Sequence, residues 1–382
     1  MIYNEIELDY TIEKTAREDI KKLIVQGSAE MNAFQHAFVA GLIKKYKPLK
    51  LVEIGIAAGG TTCFLYECVK RNGYRANIFS VDKFEKYYRV PTKRTGYLIE
   101  EMARCPGYED IVFSQKTLIG KTIPYFINDI GSDIDFLILD TTHSLPGELL
   151  DFFICLPYLK KGSVVVLHDT ICNLVNYNGS FATKILFDVV KAKKIVNFSV
   201  DEEKYTRLPN IMAFEITEDT KVNAKDILSA LTLNWQYGLE DDEKLKYAQL
   251  ISKNYGDSFR NLFFGIATVN IRNLYLNQIS NYFDDSTLID RWIELKSPVL
   301  IYGNGMWASK FLTIAKIEDL EISGMIVSDN IDMEKEMNRE LPIYKISDVP
   351  DNYKDNKIIY ALDKKYKKQI ERYVKSLGFE FL

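Results

Sequence analysis

The chain has 382 residues, enough for two or three domains at roughly 100–200 residues each. At 47% hydrophobic, 27% charged and 13% aromatic it has the make-up of a globular protein with a sizeable core, not of a disordered or fibrous one. A net charge of −4 gives no support to nucleic-acid binding by phosphate neutralisation, and no apolar run approaches the roughly 20 residues that span a bilayer.

Residues 1–47 are predicted helical in two segments, 14–25 and about 29–46, the second opened by Ser28 and Glu30 and ended by Pro48. Short apolar runs then alternate with helical stretches. Strands are predicted at Leu49–Ile54, Ile78–Val81, Ile111–Ser114, Phe136–Leu139 and Val164–Leu167, with helices at about 60–71, 95–104, 121–130 and 146–158 between them. A helix at 181–192 and strands at about 194–199 and 211–216 complete the set. Such alternation means βαβ units and a parallel sheet with helices on both faces. Residues 219–296 read as a helical insertion or linker, with helices at 224–234, 242–254 and 257–281. Near Ser297 the alternation restarts: strand Val299–Tyr302, helix 306–316, strand Ile322–Val327, a loop carrying Leu341–Ile346, strand Ile358–Leu362, helix 364–377 and a last short strand at Phe379–Leu382. The domains expected are therefore 1–47 (helices packing on the next domain), 48–218, 219–296 (linker) and 297–382 (a smaller α/β domain).

Three motifs could carry chemistry. The first is Val52-Glu53-Ile54-Gly55-Ile56-Ala57-Ala58-Gly59-Gly60-Thr61-Thr62, a glycine-rich turn between a strand and a helix. Its spacing is E-x-G-x-x-x-G rather than the G-x-G-x-x-G that fits a pyrophosphate. An acid two residues before the first glycine is a poor neighbour for phosphate and a good one for an ammonium or sulfonium. Asp82 ends the next strand, placed to accept hydrogen bonds from ribose hydroxyls. The second motif is Asp140-Thr-Thr-His143-Ser-Leu-Pro-Gly-Glu148, followed at the next strand end by His168-Asp169-Thr170. Two of the three histidines of the chain thus stand beside aspartates at neighbouring strand ends. A positioned histidine can deprotonate an acceptor hydroxyl, and Asp140 and Asp169 with one histidine could instead hold a divalent cation; these residue types suit either role. The third histidine, His36, lies in an apolar helix and reads as core. The basic, tyrosine-rich loop Lys86–Arg94 after Asp82 could recognise a sugar or phosphate-bearing acceptor. The third motif is Gly303-Asn304-Gly305-Met306-Trp307-Ala308, a dinucleotide-type turn with Asp329 ending the following strand.

Glu53–Thr62, Asp82 and the Asp140…Glu148, His168–Thr170 pair resemble class I S-adenosylmethionine (SAM)-dependent methyltransferases over about residues 28–217. The likeness is to the bacterial group with an aspartate and then histidine–serine after strand four. The resemblance implies a Rossmann-like seven-stranded methyltransferase sheet. It carries over Glu53, Gly55, Ala57, Gly59, Asp82 and Asp140 as cofactor residues, with His143, His168 and Asp140 as catalytic candidates. In metal-assisted O-methyltransferases the aspartates after strands four and five bind the ion, so Asp140 and Asp169 are the metal candidates and Mg2+ the ion. Thr142 and Thr170 stand where many relatives have further ligands, which shifts the expected base to His143. The C-terminal segment, with Gly303, Gly305 and Asp329, resembles the truncated Rossmann-like modules of surface-polysaccharide and sugar-nucleotide biosynthesis enzymes.

The function expected is O-methylation of a sugar or glycan-precursor hydroxyl by in-line transfer. The alternative is a non-catalytic nucleotide-binding or scaffold protein on a degenerate methyltransferase fold. An NAD(P)-dependent oxidoreductase using the C-terminal turn ranks third, for no hydride-transfer set is evident. Expected partners are a small-molecule or glycan acceptor and a second copy of the chain through the apolar helices between 257 and 281, with no nucleic acid and no membrane insertion. The opening MIYNEIELDY is acidic and lacks the basic-then-apolar order of a signal peptide. Cys63, Cys68, Cys105, Cys155 and Cys172 include no C-x-x-C and read as reduced, mostly buried thiols of a cytoplasmic protein. Richness in Lys, Ile, Asn and Tyr suggests a bacterial source.

Overall fold

The computed structural model describes residues 3–12, 14, 31–175, 181–198, 209–331 and 341–382. The helix expected at 14–25, and the end of the strand expected at 194–199, lie outside the described residues. The chain divides into two compact units, Met1–Ile266 and Ala267–Leu382.

The first unit is built on seven strands: β1 (Lys50–Ile54), β2 (Asn77–Asp82), β3 (Gln115–Ile119), β4 (Ile134–Leu139), β5 (Leu159–His168), β6 (Lys193–Ile195) and β7 (Ile211–Glu215). Their order in the sheet is β3-β2-β1-β4-β5-β7-β6, with β7 antiparallel to both neighbours and the other pairings parallel. This is the Rossmann-like seven-stranded arrangement expected from the resemblance. Central strands are continuous apolar runs because helices cover both faces: Leu51, Val52, Phe136–Leu139 and Val164–Leu167 have no exposed surface. Each large apolar side chain so buried stabilises the unit by about 1.5–3 kcal/mol. His36, in the helix Ala33–Tyr46, is 4% exposed and stacks on Phe64 with ring centroids 4.2 Å apart, as a core histidine does.

One strand is not where the apolar pattern puts it. Ile111–Ser114 is a helical turn, with Ile111 buried but Val112 59% and Phe113 84% exposed; the strand is the next segment, Gln115–Ile119. As the edge strand it has one neighbour and much of its surface in water, so it needs no apolar run.

The segment expected as a helical linker is helical, and it is shared between the two units. Helices Glu218–Val222, Ala224–Ala230 and Asp241–Tyr255 belong to the first unit, and the unit boundary falls inside the helix Asp257–Phe283.

The second unit carries a four-stranded parallel sheet, β8 (Val299–Tyr302), β9 (Ile322–Val327), β10 (Ile343–Lys345) and β11 (Lys357–Tyr360), in the order β10-β9-β8-β11. The short strand expected at 379–382 is a single bridge, Phe381 to Ile358. No helix among the described residues is long and apolar enough to cross a membrane.

Candidate active site

The carboxyl ends of β1, β2, β4 and β5 meet at one edge of the first sheet. There β1 runs into the glycine turn. The Gly55 N–H bonds Val81 O at 2.9 Å and the Asp140 N–H bonds Ile54 O at 3.0 Å, so the turn is pinned between β2 and β4. Gly55 has φ +101°, and a Cβ there would lie 1.8 Å from the Asp140 carbonyl oxygen. Only glycine fits. Ala57 is left-handed at φ +48°, and Gly59 caps the helix Gly60–Arg71.

The two cofactor-side acids have structural work of their own. Glu53 is 1% exposed and accepts the Thr62 hydroxyl, which in turn lies 3.1 Å from Ser80 Oγ. Burial pushes its carboxyl up to about 8 against the pull of those hydroxyls. Glu53 therefore braces the turn from below, and its burial favours the protonated form. Asp82 Oδ2 accepts the N–H groups of Ile56 (2.9 Å) and Ala57 (3.2 Å), and Oδ1 that of Phe84 (2.9 Å). It holds the glycine turn in shape, with about one of its four lone-pair sites left for a ligand.

At the ends of β4 and β5 the predicted residues do converge. His143 Nε2 lies 3.0 Å from Asp169 Oδ2 and 3.8 Å from Asp140 Oδ1, and Nδ1 lies 3.2 Å from Glu148 Oε1. His168 Nδ1 is 2.9 Å from Asp140 Oδ1. His143 (φ +55°) and Asp169 (φ +56°) are both left-handed, conformations costly for such residues and held here by their surroundings. Glu148, without exposed surface, does part of that holding: its Oε1 accepts the N–H groups of His143 (2.7 Å) and Thr141 (3.2 Å).

This crowd of acids decides the charge of His143. Burial alone would lower its pKa, but Asp169 and Glu148, with Asp140 beyond, push it up to about 11. The same contacts hold Asp169 down to about 2 against its burial. His168, 4% exposed, is pulled down by burial but raised overall by Asp140, the carboxylate it braces. Asp140, His143 and Asp169 each offer one ligand atom within 4.8 Å of the others, a set that fits a divalent ion. Thr170, by contrast, is fully buried and bonds Pro209 O at 3.1 Å, so it is no ligand.

Four contributors escaped the sequence reading. Asn210, at the start of β7, donates to Asp169 Oδ1 and accepts the Ile171 N–H at 3.0 Å. Glu148 was visible in the motif but given no task. Gln236 and Tyr237, in the supposed linker, bond Leu145 and Thr142 of the His143 loop. Sequence separations of 41 and 91 residues leave no local signal for the Asn210 and Gln236 contacts.

The loop after Asp82 is more ordered than a solvated basic stretch. Tyr87 is buried, Lys93 pairs with Glu101 at 3.3 Å, Arg94 with Glu100 at 3.7 Å, and Arg89 sits over the exposed Tyr88 ring. In the second unit Gly303 (φ +125°) is required, since a Cβ would meet Ala361 O at 2.7 Å, while Gly305 faces open space. Asp329 is engaged internally: Oδ1 accepts the N–H (3.1 Å) and hydroxyl (2.8 Å) of Ser347, and Oδ2 the Tyr373 hydroxyl.

No curated protein matches the chain. Among solved structures it is similar to a methyltransferase of Podospora anserina bound to S-adenosylhomocysteine (SAH), at 10% identity and TM-score 0.38 over 54% of this chain and 88% of that one. It is also similar to the O-methyltransferase TomG of Streptomyces achromogenes in complex with SAM (11%, 0.36, 56% and 92%). A third is an O-methyltransferase of Bacillus cereus in complex with SAH (14%, 0.35, 55% and 91%). Residues 52–170, which hold the glycine turn and every member of the histidine–aspartate cluster, match the family model described as a methyltransferase domain.

Proposed function

We propose that the chain is a SAM-dependent O-methyltransferase acting on a sugar or glycan-precursor hydroxyl. The observation that carries this reading is the placement of the His143–Asp140–Asp169 cluster beside the glycine turn, at one sheet edge, within the segment matched as a methyltransferase domain. The turn at Gly55–Gly59, with Asp82 behind it, would hold the cofactor, which supplies the methyl group as an activated sulfonium.

Transfer itself is an in-line displacement that needs the acceptor oxygen held close to the methyl carbon, at about 3 Å. What remains for the protein is the acceptor proton. Ringed by Asp169, Glu148 and Asp140, His143 already carries a proton. A second positive charge bound in the cleft would lower that pKa by repulsion, so that the Nε2 proton passes to bulk water and Nε2 can then take the proton of the acceptor hydroxyl. If an ion binds, Asp140, His143 and Asp169 would hold it, lowering the pKa of a ligated hydroxyl. The exposed Phe84 and Tyr88, with Arg89 over the Tyr88 ring, support an acceptor with both apolar ring faces and hydroxyls.

The test is calorimetric titration of the full chain with SAH, followed by methyl transfer to a panel of nucleotide sugars before and after chelator treatment. Micromolar SAH binding and transfer to an oxygen are expected. A folded protein that binds no SAH would overturn the proposal.

A further inference from the structure

Residues 236–243, outside the seven-stranded sheet, reach three of the loops that surround the site. Gln236 bonds Leu145 twice: its N–H donates to Leu145 O at 3.0 Å and its Oε1 accepts the Leu145 N–H at 2.7 Å. Leu145 is two residues past His143. Tyr237 bonds the Thr142 side chain in the same loop. Asp242 Oδ2 accepts the Tyr125 hydroxyl at 2.8 Å and the Lys121 ammonium at 3.3 Å, on the segment that follows β3. Glu243, only 5% exposed, takes the Lys83 ammonium at 3.0 Å, and Lys83 follows Asp82 directly. The segment is in turn anchored from below, where the Tyr247 hydroxyl donates to the buried Asp151 at 2.7 Å.

We propose that residues 236–243 form a positioning strap that sets the spacing of the loops after β2, β3 and β4, with Gln236 and Glu243 as its positioning residues. The proposal rests on the methyl-transfer reading of the site. The Asp82 loop lies on the cofactor side of that site and the His143 loop on the proton-transfer side; one rigid segment tied to both makes their separation a single quantity. Loops ordered before a ligand arrives bind it more tightly, because the ordering cost has already been met. Glu243 is suited to this: a buried carboxylate held by one lysine makes that contact strongly preferred over its loss.

The test compares the full-length wild type with Glu243→Gln, Lys83→Gln, their double variant and Gln236→Ala. SAH affinity is measured by calorimetry, and amide exchange at 82–86 and 141–145 without cofactor. Each single change should weaken SAH binding about tenfold and speed exchange in the loop it untethers. The Glu243/Lys83 double variant should be no weaker than either single, since both act through one contact. A lowered melting temperature with unchanged SAH affinity would reduce the strap to ordinary packing and overturn the proposal, as would unchanged exchange. If wild type binds no SAH while exchange still responds to Glu243→Gln, the methyl-transfer reading fails and the loop tether stands.

Discussion

Replacing Gly55 by alanine tests the geometry on which the site depends. Two costs add. A side chain at φ +101° pays about 1–2 kcal/mol for left-handed backbone. The new methyl would also sit 1.8 Å from Asp140 O and 2.6 Å from its carbon, so the strand end must retreat by about 1.7 Å to reach ordinary contact. Both atoms belong to backbone held by the Asp140–Ile54 and Gly55–Val81 bonds, and such overpacking costs about 1–3 kcal/mol. The total is about 2–5 kcal/mol, and the displaced group is Asp140 itself, so SAH affinity should fall with stability. Gly73→Ala is the control: φ is +74° there and nothing lies within 4 Å of the added carbon, leaving only the strain cost. Native-state hydrogen exchange of β1 and β4 amides reads the stability of this unit separately from the other. Equal losses in the two variants would refute the steric argument.

His143→Ala should lower turnover by about 10²–10⁴-fold while SAH affinity stays within a few-fold, as steady-state kinetics and calorimetry can check. Asp169→Asn should release His143 from its nearest partner and abolish any binding of Mn2+ seen in wild type by titration; retained binding would remove Asp169 from the ligand set. Glu53→Gln should flatten the pH dependence of stability between about 4.5 and 8. Its folded pKa is raised, so its contribution is full below the unfolded value and is lost as pH rises through the folded one. Denaturant midpoints at pH 5 and pH 8 should therefore differ more in wild type than in the variant.

The sheet was legible in the chain because parallel strands buried on both faces are short apolar runs, as at Val164–Leu167 and Phe136–Leu139. The same rule misplaced β3, where water covers much of an edge strand and polar residues serve. Asp140 and Asp169 could be singled out because each follows directly on a strand, with His143 three residues past Asp140, and strand ends converge in this topology. Their states could not be read the same way. That burial raises the Glu53 carboxyl, that Asp82 spends most of its capacity on backbone, and that the acids around His143 favour its protonated form all follow from which groups meet in space. Charge depends on burial and on neighbours within a few ångströms, and those neighbours come from positions as distant in the chain as Asp169 and Asn210. The segment 236–243 carries the same lesson: it lies in the region that reads as a linker, and only folding sets Gln236 against Leu145 and Glu243 against Lys83.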